Sequence, residues 1–168
     1  MDHNTTMFWL QLVSTVFIGA TFIIYSLQLK AMREASTAQN TLSVINFLQQ
    51  SNIHKARQHV WTNLKDKHHD TWDTEDLHMA SLVQSSYDIT GILVKHGLVP
   101  RDIFLSNWGD SIVMNYNILE PNLKKKFVLV GSPSYGANFL WLRNEVLKAV
   151  NSTLQSARGF KETDGARG

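Results

Sequence analysis

The sequence predicts an all-α protein: one N-terminal transmembrane helix continuing into an irregular cytoplasmic bundle of about five helices. Three observations lead there. From Asn4 to Leu29 there is no Asp, Glu, Lys or Arg. The rest of the chain shows apolar residues at spacings of three and four, broken by capping and turn residues. No stretch alternates with period two over a strand's length, and Val128-Leu129-Val130 is the only strand-like run.

The membrane segment comes first. Met7 to Leu27 gives 21 predominantly apolar residues. As a helix they span about 30 Å, the thickness of a bilayer's hydrocarbon layer. A core helix of that length would carry charges on one face, and this one carries none. Trp9 and Tyr25 lie near its ends, where interfacial aromatic rings anchor a helix at the headgroups. A cleavable signal peptide would need a basic start and a small-residue cleavage site. The chain opens on Asp2 and His3, and no such site follows, so an uncleaved signal anchor is expected.

Flanking charge predicts orientation. Lys30 and Arg33 follow the segment directly, while only Asp2, His3 and the amino terminus precede it. The excess of basic residues on one side places residues 30–168 in the cytoplasm and the N-terminus outside. Within the segment, Gln11, Thr15, Gly19 and Ser26 fall within about 80° of one another at 100° per residue. Small and weakly polar side chains let transmembrane helices approach closely, so this stripe is the expected membrane interface.

The remaining organisation reads in order. Residues 1–29 form the anchor. Residues 30–50 contain no Pro or Gly and carry Ala31, Ala35, Ala38, Leu42, Ile45 and Leu48 at helical spacing, a juxtamembrane helix or stalk. A helical domain covers 51–157. Its first helix presents Ile53, Ala56, Val60 and Leu64, with Trp61 beside them. After the loop around His68, Asp73 or Thr74 caps a helix that carries Leu77, Ala80, Val83, Tyr87 and Val94, with Gly97 closing it. Pro100 suits a first-turn position of the next helix, which carries Ile103, Phe104, Trp108, Ile112, Tyr116 and Leu119. Pro121 is expected to end or kink it, leaving a short helix from Leu123 to Val130. The last helix runs from about Ala137 to Ser156, with Phe139, Leu142, Val146, Val150 and Leu154 on one face. The glycine-rich tail at 158–168 is expected to be disordered.

Chemistry is sparse. The absence of cysteine removes disulfides, thiol nucleophiles and cysteine metal sites. Residues 30–168 carry 16 basic and 13 acidic side chains, too mild a balance to argue for nucleic acid. No phosphate-binding glycine loop, dinucleotide fingerprint, zinc-protease helix or serine elbow is present. His68-His69-Asp70 is the densest ligand-type cluster, but side chains of adjacent residues are expected to point apart, so no metal is assigned. Asp88 and Asp110 sit among apolar helical residues and are expected to be half-exposed or bonded to a helix end. No catalytic residue and no cofactor is expected.

Several segments together resemble a known family. Ala56-Arg57 to Val60, the run YDITGILVKHGLV from Tyr87 to Val99, and Trp108 to Ile112 come first. Leu119-Glu120-Pro121 and a final helix with Phe139, Trp141 and Leu142 follow. This order is similar to an uncharacterised bacterial family of short, membrane-anchored helical proteins, a domain of unknown function. The resemblance spans most of the chain. It implies bacterial origin and a cytoplasmic helical domain, and it transfers no catalytic residue.

The expected function is a non-enzymatic interaction protein in the bacterial inner membrane, an accessory or scaffolding subunit of a larger complex. Its partners would be the bilayer and other membrane subunits, or itself. A self-associating sensor is the second expectation, and an enzyme using Asp88 or His68–Asp70 the third.

Overall fold

A computed structural model describes residues 3–131 and 134–165; side chains 3–6, 130, 154 and 156–165 are left aside. Five α-helices make up most of it: α1 (His3–Leu48), α2 (Ser51–His59), α3 (Thr74–Lys95), α4 (Arg101–Val130) and α5 (Ala137–Gly165). A π turn, Val60–Leu64, prolongs α2, and a 3-10 turn, His69–Thr71, precedes α3. No strand occurs among the described residues. The chain divides into two compact units, residues 1–40 and 41–168.

The first unit is helix throughout its described length. From Met7 to Ser36 every residue is exposed, including Phe17, Ile18 and Phe22. The helix is long and apolar enough to cross a membrane. Three of its hydroxyls bond within the helix: Thr15 Oγ1 donates to the Gln11 carbonyl at 2.9 Å, Thr21 Oγ1 to the Phe17 carbonyl at 2.8 Å and Ser26 Oγ to the Phe22 carbonyl at 2.9 Å.

The second unit is a helical bundle, and its core explains its helices. The end of α1 buries Leu48 as expected and half-buries Ile45, while Leu42 is exposed and Val44 is buried in its place. Leu77, Ile103 and Val150 are likewise exposed. Each sits at the edge of its helix's apolar arc, outside the positions the neighbouring helices cover.

Phe139 on α5 is fully buried and binds three helices together. Its ring stacks on Tyr87 of α3 at 5.1 Å and meets Tyr116 of α4 edge-on at 5.1 Å. Burying such a side chain contributes about 2–3 kcal/mol, with a further increment from aromatic geometry.

Each end of α3 is built as the sequence suggests. Asp73 accepts from the Asp76 amide at 2.9 Å, and the Asp76 carboxylate accepts from the Asp73 amide at 3.1 Å, a reciprocal capping box. At the other end Gly97 takes φ of 71°, and the Leu98 amide reaches back to the Leu93 carbonyl at 3.0 Å. That pattern satisfies carbonyls the helix leaves open.

Two proline expectations are corrected. Pro100 is the N-cap of α4, one residue before the first helical position. Pro121 neither ends α4 nor starts a separate short helix: the helix is continuous from Arg101 to Val130. An interior proline costs about 3 kcal/mol through a lost hydrogen bond and a clash. Here Pro121 is exposed, and so is Asn117, whose carbonyl would have received the missing bond, so water can serve it. Tyr116, Leu119, Asn122 and Leu123 are buried on either side and hold one face of the helix against the core.

The last helix continues to Gly165, past the expected end at Ser156. No proline interrupts it, and Gln155, Ala157, Arg158, Lys161 and Glu162 are good helix formers. Residues 166–168 of the expected tail lie outside the described residues.

The start of α5 is fixed from α3. The Asp88 carboxylate accepts from the Asn138 amide at 3.0 Å, the Phe139 amide at 3.1 Å and the Asn138 side-chain amide at 3.3 Å. A carboxylate at a helix N-terminus satisfies open N–H groups and favours the positive end of the dipole. One turn further along α3, Gly91 lets the backbones meet: a Cβ there would lie 2.6 Å from the Asn138 carbonyl oxygen.

Two substitutions test this junction. Asp88→Ala is expected to cost about 1–2 kcal/mol, as loss of a capping side chain does. Gly91→Ala is expected to cost on the order of 2 kcal/mol, because the clash with backbone outweighs alanine's helix preference. Both lower the thermal midpoint followed by circular dichroism, whereas Gly19→Ala, with open space around it, leaves it in place.

Candidate functional site

Two groups of polar residues stand out in the second unit. The first is built on α2, the π turn and α4. Ile53, Ala56, Val60 and Leu64 turn inward, and Arg57 shares their face. Its side chain is 5% exposed. Nη1 donates to the Leu48 carbonyl at 2.7 Å, satisfying an open group at the C-terminal end of α1. The guanidinium lies 5.0 Å over the Trp108 ring, a cation–π contact. The Tyr87 hydroxyl pairs with Ser111 Oγ at 2.7 Å. Burial raises the Tyr87 pKa, and the bond with Ser111 and the Arg57 charge oppose that rise. Among the described residues Arg57 has no Asp or Glu in ion-pair range. Beside it lies an open recess of about 540 Å³ lined by His54, Arg57, Gln58, Trp61, Asn107, Trp108 and Ser111.

The second group centres on Asp76 at the start of α3. Its carboxylate is buried and takes three partners: His59 Nε2 lies 2.8 Å from Oδ1, and Lys67 Nζ and the Asp73 amide donate to Oδ2. Lys67 also faces the Asp73 carboxylate at 3.9 Å. Asn63 Nδ2 lies 3.1 Å from the other imidazole nitrogen of His59. Burial pushes the Asp76 carboxyl upward, but bonds from Lys67, His59 and the Asp73 amide outweigh it and hold the pKa at about 2. Trp72, also buried, donates from its indole to the Lys67 carbonyl at 3.2 Å. The group ties the π turn and the loop after it to α3.

The residues singled out in the sequence are spread over both units. Trp9, Gln11, Thr15, Gly19, Tyr25, Ser26, Lys30 and Arg33 all lie on the exposed helix of the first unit. Lys30 faces Glu34 at 4.0 Å one turn on. Asp88 is the cap of α5. Asp110 is exposed beside a smaller recess between α4 and α5.

His68, His69 and Asp70 differ from expectation. The two imidazoles do not point apart: their centroids are 4.8 Å apart, and both rings approach the Asp70 carboxylate, at 3.6 and 3.2 Å. The backbone is extended at His68 and turns at His69, which brings neighbouring side chains to one side. Their ligand atoms lie within 4.8 Å of one another, close enough for a metal ion. Asp70 is already engaged by Lys125 Nζ at 3.2 Å, and His68 and Asp70 are exposed. That bond holds the Asp70 carboxyl below its usual range, with the histidines adding to the effect.

The burial of Arg57 and Asp76 went unread in the sequence. For Arg57 a signal existed: it stands four residues after Ile53 and three before Val60, inside the buried arc.

Comparison with known families decides kinship at the level of the domain. A profile described as a domain of unknown function, DUF4760, matches residues 14–146, well over half of the chain. The chain belongs to this family. The match begins inside the apolar helix and ends in α5, so it takes in the Arg57 recess, the Asp76 group and the Asp88 cap. Comparison with curated proteins and with solved structures returns no match.

The Asp76 group carries a pH expectation. Its folded pKa of about 2 is below the ordinary value of 3.8. Its contribution is therefore complete above about pH 4 and is lost as pH falls toward 2. Asp76→Asn is expected to cost about 1–3 kcal/mol at neutral pH, the range for bonds to a charged group. It also flattens the acid limb of a stability–pH curve measured by urea melts. An unchanged acid limb would mean that the carboxylate titrates alike in folded and unfolded chains.

Proposed function

We propose that this protein is a non-enzymatic, membrane-anchored interaction protein, an accessory or scaffolding subunit of a larger bacterial inner-membrane complex. The observation that carries this reading is an unpartnered apolar surface on the second unit. Phe127, Val128 and Leu129, at the end of α4, are 45%, 76% and 75% exposed. Three consecutive helical residues span a wide arc, so no single neighbouring helix of the bundle could cover them. Beside them is a recess of about 410 Å³ whose walls include Tyr116, Leu123, Tyr135 and Leu140. Contiguous exposed apolar surface of this kind marks protein or membrane contacts.

The exposed helix of the first unit supports membrane anchoring: water would disfavour Phe17, Ile18 and Phe22 on its surface, and a bilayer would not. Lys30 and Arg33 favour a cytoplasmic second unit with the N-terminus outside. The stripe Gln11, Thr15, Gly19 and Ser26 supplies a surface for a second transmembrane helix, and Gly19 leaves open space there.

The test is affinity purification of the tagged full-length protein from its own membranes in mild detergent, followed by mass spectrometry. A stoichiometric membrane partner is expected, and Val128→Asp with Leu129→Asp is expected to release it while leaving the helical circular dichroism spectrum intact. A protein recovered only with itself would overturn the reading in favour of a self-associating sensor.

A further inference from the structure

We propose that the recess beside Arg57 is a binding site for a small organic carboxylate with a flat apolar body. This goes beyond the interaction surface at the end of α4, from which it is separate in its residues and its chemistry.

The argument starts from charge. A buried cation is costly unless paired. Arg57 is more than nine-tenths buried, yet its partners are a carbonyl and an indole face. Neither carries a negative charge. Arg101, by contrast, meets Glu145 at 2.5 Å, so the fold supplies carboxylates where an arginine sits on its surface. The guanidinium is a rigid fork that suits a planar anion.

The walls define the rest of the ligand. Trp61 and Trp108 present indole surface, and His54, Asn107 and Ser111 add hydrogen-bonding groups. A volume of about 540 Å³ lies within the range of small-molecule sites. Aromatic walls favour a flat apolar body. The recess contains one permanent cation, which matches the single charge of a carboxylate better than the double charge of a phosphate.

Ligand-observed fluorine NMR on the full-length protein in detergent tests this, with para-fluorobenzoate as the probe. Saturable line broadening is expected below about 10 mM, reversed by benzoate and not by inorganic phosphate. Neutral para-fluorobenzamide is expected to bind at least about tenfold more weakly, as loss of a charge-assisted bond implies. Arg57→Gln is expected to weaken binding by a similar factor. Because that change also removes the bond to Leu48, Asn107→Trp provides a second reading. Asn107 is exposed at the rim, and an indole there fills the recess while Arg57 keeps its contacts.

Broadening lost in both variants, or in Asn107→Trp alone if Arg57→Gln does not fold, supports the site. No saturable broadening in the parent protein would overturn it. So would equal binding of the neutral amide, displacement by phosphate, or binding unchanged by Asn107→Trp.

Discussion

The bundle depends on one carboxylate. Asp88 of α3 receives the first amides of α5, including that of Phe139. Fixing that amide fixes the ring, and the ring is where Tyr87 of α3 and Tyr116 of α4 converge. A polar contact thus sets the register of an apolar one. Gly91 completes the arrangement by letting two helix backbones touch where any side chain would hold them apart. Burial alone would hold α5 against its neighbours without choosing how far along them it sits.

A second polar layer lies on the other side of Tyr87. The Tyr87 hydroxyl pairs with Ser111, and Arg57 ties the end of α1 to the face of Trp108. Polar groups in a core specify an arrangement when each is satisfied and cost stability when one is not. Arg57 bonds to a carbonyl and lies over an indole but meets no carboxylate among the described residues, which sets it apart from the buried carboxylates Asp76 and Glu145, each of which meets a cation. Asp76 has a complementary character: a buried anion surrounded by Lys67, His59 and a backbone amide.

The helical class and the unburied apolar N-terminal helix were legible because both rest on long, repeated patterns. The caps at Asp73 and Gly97 were legible because each residue has a local backbone job. Pro121 misled because its cost is local while what outweighs it, burial of Tyr116, Leu119 and Leu123, is tertiary. The histidine pair misled because helical side-chain directions were assumed for a segment that turns. Arg57 was hidden by its type: a charged residue in an apolar arc reads as an exception at the edge of the face, and only the neighbouring helix shows that it is covered.

The π turn from Val60 to Leu64 bears on how this chain tolerates changes of length. A π turn holds one residue more than the α turn it replaces. Deleting one residue there would let the segment wind as ordinary α-helix, and because the π turn takes up that residue locally, Leu64 would still face the core and Lys67 would still reach Asp76. Loss of a second residue would turn everything after it by about 100°. Homologous chains that keep the Asp76 group should therefore differ by at most one residue between His59 and Lys67, even where they change the residues themselves.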